Sequence, residues 1–597
     1  MSATPGNSLA KQFPRLALCV SVAAFAFGCR DAKNPPGKEQ TPGAVAQSEI
    51  PPQDHSPAWF REVTDASGVQ FRHFSGVGDD KPFPAANGSG VGALDYDRDG
   101  QLDLYFATGT SIPLEAAVAT RTDRFYRNDG NWKFSDVTTL ANLGRAGFSA
   151  GIAAADYNND GFTDLYVTRF GSNMLYCNQG DGTFEEVSIV SGADHDGWAS
   201  SAAFFDSNAD GALDLYVCNY AKWDYKDHVF CGDRSKGVRL FCSPTSVEAE
   251  SDVLLANHQD GTFSDQTKAL GLGEQAGRGQ GVIAADLNAD GWIDLYVAND
   301  LNANFLFTNN GDGTYRDATE LSGAGYDAKG GMQAGMGVDA EDIDGDGRPE
   351  LFVTNFKAEQ NTLYHNADEF AFADVSAQYG LSAASLPYVG WGTAFGDFDL
   401  DGRSDLVVTN GHVDDNRHLL GQDAPYAVRP LLWRNGGRRF EVVEHAENNY
   451  FSGQHVGRGL TCVDLDNDLD EDLVISHQDA RPALLENHAA SRALAVQVQL
   501  VGVLSNRDAT GATLTLQTSG RSKHQQIKGG GSYLSARDLR QTFAILPGEA
   551  NIQLKIRWPS REETTIEGLV PGGRFIIIEG DAPGQAPIVH KVGEKNE

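Results

Sequence analysis

The pattern Asp-x-[Asp/Asn]-x-Asp-Gly-x-x-Asp recurs along this chain and limits the available folds more than any other feature. It starts at Asp95, Asp156, Asp206, Asp286, Asp342 and Asp397, with a variant at Asp464, at intervals of 50 to 80 residues. The first copy supplies Asp95, Asp97, Asp99 and Asp103, the second Asp156, Asn158, Asp160 and Asp164, and the third Asp206, Asn208, Asp210 and Asp214. The fourth supplies Asp286, Asn288, Asp290 and Asp294, and the fifth Asp342, Asp344, Asp346 and Glu350. The sixth supplies Asp397, Asp399, Asp401 and Asp405. The seventh supplies Asp464, Asp466, Asp468 and Asp472, with Leu469 where the others have Gly.

Alternating oxygen donors on one short loop suit Ca²⁺, a hard cation that takes ~6–8 oxygens at about 2.3–2.6 Å. The glycine supplies the positive φ of a sharp turn. Up to seven Ca²⁺ ions are therefore expected; the alternative is a set of loops closed by Asx turns without metal. An EF-hand opens the same way but needs a bidentate Glu at its twelfth position and helices on both sides. Here that position is Phe106, Val167, Val217, Val297, Val353, Val408 and Ile475. All are apolar, so these are not EF-hands.

The flanks read as strands. Each loop is followed at once by an apolar run such as Leu104-Tyr-Phe or Leu165-Tyr-Val, and preceded by a Gly-rich one such as Gly90-Val-Gly-Ala-Leu94. A third strand ending in Asn follows in every copy (Asn128, Asn178, Asn257, Asn309, Asn366, Asn435, Asn487), then a tight turn and a fourth strand. Four strands per unit at this spacing predict a β-propeller. The seventh unit lacks its fourth strand, and residues 59–64 carry that pattern alone, so they are expected to close blade seven. The fold class expected is all-β: a seven-bladed β-propeller over 58–489 with Ca-binding hairpin loops, followed by a small β-sandwich-like domain.

These units resemble the FG-GAP/VCBS-type repeats of integrin α-subunit propellers. The order of features also resembles the cartilage acidic protein-like family, which ends in an ASPIC/UnbV domain. Ser505-Asn-Arg-Asp-Ala-Thr-Gly511, Gly530-Gly-Ser-Tyr-Leu-Ser535, Arg557-Trp-Pro-Ser560, Asn410-Gly-His-Val413 and the Cys231 to Pro244 segment carry that likeness. The resemblance implies metal-bearing hairpin loops and an ASPIC/UnbV β domain over 490–580, and supplies no shared activity. Residues 581–597 read as a tail. Arg507-Asp508 and Gly529-Gly-Gly531 are read chiefly as turn and salt-bridge structure.

Lys11 and Arg15 precede an apolar run from Leu16 to Phe27, too short to span a bilayer but suited to a secretory signal over 1–29. The run ends Ala26-Phe27-Gly28-Cys29, which resembles a bacterial lipoprotein cleavage box, although Phe27 is bulky for it. Lipidation of Cys29 is expected, with a plain signal cut near it as the alternative. Residues 30–57, rich in Pro, Gly, Gln and Ala, read as a disordered tether. An exported envelope protein, touching membrane only through a lipid anchor, or an extracellular one is thus expected. In such an oxidising compartment Cys231 and Cys242 suit a local disulfide.

Charge enters here. With 82 Asp+Glu against 47 Lys+Arg the net charge is −35, a poor fit to nucleic acid. The loops hold 25 of the 82 carboxylates at their first, third, fifth and ninth positions, so much of the acidity reads as ligand.

In a four-stranded meander the carboxylate loops share one face, and the long insertions 108–123, 219–251 and 410–429 fall on the other. Long connections are uncommon unless functional or disordered. The opposite face is therefore the expected binding surface, with Trp223, Tyr225, His228, His412 and Tyr426 as candidate contacts. Deleting 220–251 is expected to abolish capture with little loss of stability. The leading function is a calcium-stabilised binding or adhesion protein for a glycan or an envelope or extracellular protein. A polysaccharide-active, lyase-like enzyme and an envelope assembly scaffold are the alternatives. The enzyme would need a carboxylate, His or Lys with a shifted pKa in the central cleft, and the sequence points to no such pair.

Overall fold

The computed structural model describes residues 59–114, 121–273, 275–368, 370–446, 449–489 and 494–593. The expected leader, Cys29 and the tether lie outside them. The protein is all-β and propeller-like. From Phe60 to Asn487 the described strands pair into seven four-stranded antiparallel units, apart from two short two-stranded ribbons in the 219–251 insertion. The first runs Val91–Leu94, Asp103–Phe106, Arg124–Asn128 and Phe134–Asp136. The carboxylate loop thus joins the first two strands of a unit. Where Phe170 pairs with Trp198, extended strands also join units two and three edge to edge.

Side chains on a strand alternate between its two faces, and the cores lie between adjacent sheets. Leu104 and Phe106 pack with Val463, Val474 and Leu484 of unit seven. Tyr105, between them in sequence, packs with Ile152, Leu165 and Val167 of unit two. Phe60–Glu62 pairs antiparallel with Ala483–Asn487, Phe60 lying opposite Asn487. The last sheet therefore contains the first described strand, which supplies its outer, fourth member.

The C-terminal module is a sandwich of two four-stranded sheets. One orders Gln541–Ile545, Leu494–Val501, Gly573–Ile578 and Ile588–Lys591; the other orders Ser522–Gln526, Thr513–Gln517, Gln553–Arg557 and Glu563–Glu567. Val496, Leu514, Phe543, Leu554, Trp558 and Phe575 fill the space between them. The chain past Gly580 is not all tail, because Ile588–Lys591 adds to the edge of the first sheet. Four exposed or half-buried residues are too short a pattern to stand out in sequence.

Nor is the module separate from the propeller. Its segment 529–536 enters the centre of the ring and bonds to the first strand of every unit. Ala536 N donates to Val91 O at 3.1 Å in unit one, and Ile152 N to Leu534 O at 3.1 Å in unit two. Leu534 N donates to Ser201 Oγ in unit three, and Gly529–Gly530 pairs with Ala284 and Ile283 in unit four. Ser532 and Val338 exchange backbone bonds of 2.6 and 3.0 Å in unit five. Thr393 N donates to Ser532 Oγ in unit six, and Ser532 Oγ to Leu460 O in unit seven. Close approach explains the glycines: a Cβ on Gly530 would sit 2.5 Å from Val282 O, and one on Gly90 would sit 1.6 Å from Leu534 O. The Gly-rich motif read as turn structure is a plug.

Charge fastens it. Lys528 Nζ lies 2.9 Å from Asp339 Oδ1 and Arg537 Nη1 3.3 Å from Asp339 Oδ2. Burial pushes Asp339 upward, but these two cations outweigh it and hold the carboxyl below the usual range.

Candidate functional site

Each carboxylate loop is shaped first by its own hydrogen bonds. In six loops the first-position Asp accepts from the backbone N–H groups of the fifth and sixth residues, as Asp95 does from Asp99 at 3.1 Å and Gly100 at 3.0 Å; in the fifth loop Asp342 accepts from Gly345 and Gly347, the fourth and sixth. The ninth-position carboxylate reaches the third strand: Asp103 Oδ1 accepts from Asn128 N at 2.8 Å, and Asp214 Oδ1 from Asn257 N at 2.8 Å. The strand-ending Asn then clasps the neighbouring unit. Asn128 Nδ2 donates to Leu465 O at 3.0 Å, Asn178 to Tyr96 O at 2.9 Å and Asn257 to Tyr157 O at 2.9 Å. Asn309, Asn366 and Asn487 repeat the clasp on Ser207, Leu287 and Phe398. The sequence shows the Asn, but its partner sits in another repeat. Loop shape is thereby tied to packing around the ring.

Asx-turn bonds do not satisfy these loops. Asp399 Oδ1, Asp405 Oδ2, Asp466 Oδ1 and Asp470 Oδ1 are buried carboxylate oxygens without a hydrogen-bond partner. Burial first, and neighbouring carboxylates second, push Asp103 to about 9, Glu350 to about 8 and Asp397 to about 7. Such acids stay ionised near neutrality only with a cation among them. Donor atoms converge at Asp95, Asp97 and Asp99, at Asp342, Asp344 and Asp346, at Asp397, Asp399 and Asp405, and at Asp464, Asp466 and Asp472. A fifth group, Asp344, Glu350 and His365, overlaps the second. These sets fit a metal ion. Loops two to four, with Asn in the third position, carry fewer carboxylates.

Some charge is already answered from within. Arg434 bridges Asp399 at 2.8 Å and Asp401 at 2.9 Å, and Arg557 of the C-terminal module lies 2.6 Å from Asp286. The module covers this face further: Arg507 N donates to Asn159 Oδ1, Arg521 to Gly402 O, and Arg540 to Asp464 O and Asn467 Oδ1. Leu469, at φ +80°, takes the left-handed conformation its glycine counterparts take. Its side chain packs toward Leu400, Ala495 and Ala544, two of them in the module, which offsets strain of about 1–2 kcal/mol.

The opposite mouth holds a cavity of about 300 Å³. Tyr220, Phe241, Met336, Trp391, Asp300 and Glu359 are among the residues around it. Tyr533 of the plug lies behind, its ring 5.0 Å from Trp391 and its hydroxyl 3.2 Å from Asn87 O. Tyr220 OH donates to Asp300 Oδ2 at 2.8 Å, and Ala334 N to Glu359 Oε2 at 2.8 Å. Burial pushes Asp300 to about 7, Glu359 adding to it, and burial also raises Glu359. A larger cleft of about 510 Å³ lies between loops four and five and the module. Its charges are largely paired already, Lys528 with Asp339 and Arg557 with Asp286.

The five residues singled out for this face are not one site. Trp223, Tyr225 and His228 cluster at the rim, where Tyr225 OH donates to Asp80 Oδ2 and His228 Nε2 meets Asp80 O, both at 2.7 Å. His412 is buried with Nδ1 accepting from Asp414 N, and burial pushes it down to about 4. Tyr426 accepts from His412 N through its carbonyl, and burial pushes its phenol up to about 12. The insertion is no appendage either, since Tyr220 and Phe241 share a core with Phe83 and Trp198. Its removal would open that core, contrary to the expectation above. Within it Cys231 and Cys242 form a disulfide, and Cys177, Cys218 and Cys462 are free.

Buried histidines on this side set an acid limit. Burial holds His73 and His477 at about 4; Asp479 opposes the effect at His73, and Tyr450 OH lies 2.8 Å from His477 Nε2. Below pH 6.5 the unfolded imidazoles take protons that the folded ones refuse until about 4. Stability is therefore complete above 6.5 and lost as pH falls through that window. The two together remove about 3 kcal/mol between pH 7 and 5.5. Urea melts at fixed Ca²⁺ should show this fall, and a His477→Asn variant a shallower one.

A propeller of acid-loop repeats with a plugging β module defines a recognisable class. The chain carries FG-GAP-like repeats, matched over 114–167, 156–217, 286–353 and 342–408, followed by an ASPIC and UnbV domain at 502–584. Among characterised proteins it is similar to cartilage acidic protein 1 of Xenopus tropicalis, 27% identical over 312 residues, covering 50% of this chain and 44% of that protein. It is likewise similar to cartilage acidic protein 1 of Homo sapiens, 22% identical over 487 residues, covering 79% and 60%. The chain thus spans about half of the length of these relatives. Among solved structures, the BP39L lectin of Burkholderia pseudomallei aligns at a TM-score of 0.40 and 10% identity, covering 67% of this chain and 96% of the lectin.

Proposed function

We propose that this chain is a calcium-stabilised, exported binding protein, anchored through Cys29, that captures a glycan or protein ligand at the propeller mouth opposite the carboxylate loops. The loops and the module that covers them form the scaffold. Up to seven Ca²⁺ ions would be held there, first of all by the loops with four carboxylates.

The single observation that carries this reading is the cavity at that mouth. At about 300 Å³ it lies at the lower end of the ~300–1,000 Å³ range of small-ligand sites. Aromatic and apolar walls with a few aimed polar groups are what such sites use. Asp300 and Glu359 have no ion-pair partner among the described residues, and with Asp300 Oδ2 and Glu359 Oε2 bonded to Tyr220 and Ala334, it is Asp300 Oδ1 and Glu359 Oε1 that can accept from ligand hydroxyl or amide groups. Glu359→Gln should weaken capture on a glycan array or from envelope extracts at least tenfold and leave the melting temperature close to that of the parent. Unchanged capture would remove the ligand from this cavity.

A second reading rests on the same pair. Two carboxyls raised by burial within one cavity are what acid–base chemistry on a polysaccharide needs, so a lyase-like enzyme is the competing proposal. Depolymerisation of a polysaccharide, abolished by Asp300→Asn, would favour it over simple binding.

A further inference from the structure

We propose that the fifth loop takes a dication of borderline hardness, such as Zn²⁺ or Cu²⁺, with His365 as one ligand, while the all-oxygen loops take hard cations. This rests on the reading of the loops as metal sites and adds selectivity to one of them.

The fifth loop departs from its siblings at two places that meet in space. In the other six, the ninth residue is Asp, and its carboxylate accepts from the strand-ending Asn N at 2.7 to 2.9 Å. In the fifth it is Glu350, one methylene longer. The bond from Asn366 N to Glu350 Oε1 stretches to 3.4 Å, and the same oxygen lies 3.0 Å from His365 Nδ1. His365 also brings Nδ1 to 3.7 Å from Asp344 Oδ2.

The position just before the strand-ending Asn holds Arg127, Cys177, Ala256, Thr308, Arg434 and Glu486 in the other units. Only the loop with Glu at its ninth position has an imidazole there. The ligand atoms of Asp344, Glu350 and His365 all lie within 4.8 Å of one another. Glu350 is fully buried and so fixed, whereas His365 and Asp344 are about one-third exposed, which leaves a route for an ion to enter.

Ligand chemistry decides what enters. Imidazole nitrogen is a poor partner for Ca²⁺, which prefers oxygen, and a good one for Zn²⁺ and neighbouring dications. Asp344 also belongs to the oxygen set with Asp342 and Asp346. One centre therefore draws on both, and a nitrogen with several carboxylates favours a borderline ion over a hard one.

The test uses the full chain, stripped by chelator and refilled with millimolar Ca²⁺. Zn²⁺ is then titrated at micromolar levels and counted by plasma mass spectrometry; one equivalent of Cu²⁺ is added separately for pulsed electron paramagnetic resonance. The expected result is one equivalent of Zn²⁺ retained against the Ca²⁺ excess, and a ¹⁴N coupling of imidazole on bound Cu²⁺ that is lost in His365→Ala. In His365→Ala, Zn²⁺ retention should fall at least tenfold, with Ca²⁺-dependent melting kept. His365→Gln, which offers oxygen in place of nitrogen, covers the case in which the alanine variant does not fold. It should lose the Zn²⁺ preference and still respond to Ca²⁺. Zn²⁺ retention in both variants equal to the parent's, or Cu²⁺ without nitrogen coupling, would overturn the inference and leave His365 as an ion-pair partner of Glu350. Failure of the loop reading looks different: neither Ca²⁺ nor Zn²⁺ would then shift melting.

Discussion

Removing Ca²⁺ with chelator should lower the melting temperature of the chain by roughly 10 °C. Each site that binds only the folded state adds about 2.7 kcal/mol when the ion stands at 100 times its Kd, so four saturated sites contribute on the order of 10 kcal/mol. In a cooperative unit of this size that corresponds to a shift of roughly 10 °C. Four is the number of loops with carboxylates at all four ligand positions, the first, fifth, sixth and seventh; in Ca²⁺ alone, with no borderline dication to compete, the fifth takes Ca²⁺ as well. The sign of a single substitution should depend on the metal. Asp97→Asn should lower the melting point in Ca²⁺ by removing a ligand. In chelated protein it should be neutral or stabilising, because after burial it is Asp99 that raises Asp97, and both of them raise Asp95. Scanning calorimetry of both variants in both buffers checks this. Coincident melts with and without Ca²⁺ would return the loops to Asx turns that need no ion.

Replacing both Tyr533 and Leu534 by Ala should destabilise the whole protein by about 5–8 kcal/mol, the sum expected for two large buried side chains. Tyr533 and Leu534 are at most 1% exposed. They pack against Ala150, Met336, Val389 and Trp391, drawn from units two, five and six. The effect should not stay local. The plug bonds to every first strand, so propeller and module should melt in one transition in the parent chain. In the double variant both should melt early. A chain ending at residue 489 should show the same defect more strongly, since the first strands would lose their central partner and the loop face its cover. A truncated propeller that melts where the parent does would show that the plug is an ornament of the fold.

These residues also mark the limit of what sequence reveals. The carboxylate loops were legible because ligand spacing is local: donors two residues apart on one turn announce themselves in any copy. The strand pattern was legible for the same reason, with Leu104 and Tyr105 already on opposite faces. Asn128 could be seen but not understood, because its amide reaches Leu465, on a loop of the last unit. The plug was less legible still. Gly529-Gly-Gly-Ser-Tyr-Leu-Ser has no period, and its partners are spread across the chain. The mouth residues suffered the opposite error. Aromatic and histidine side chains on a long insertion attract notice, yet His412 is buried and Tyr426 half-buried. Asp300 and Glu359 gave no signal, since nothing local distinguishes them from dozens of other carboxylates.

Hydrogen exchange followed by mass spectrometry, with and without Ca²⁺ on the full chain, tests the division into metal-held scaffold and open mouth most directly. Ca²⁺ should slow exchange in the loop hairpins at 95–106, 342–353, 397–408 and 464–475, and in the plug at 529–536 that their face supports. It should leave the insertion at 222–248 unchanged. Slowed exchange confined to that insertion, or none at the loops, would contradict the account.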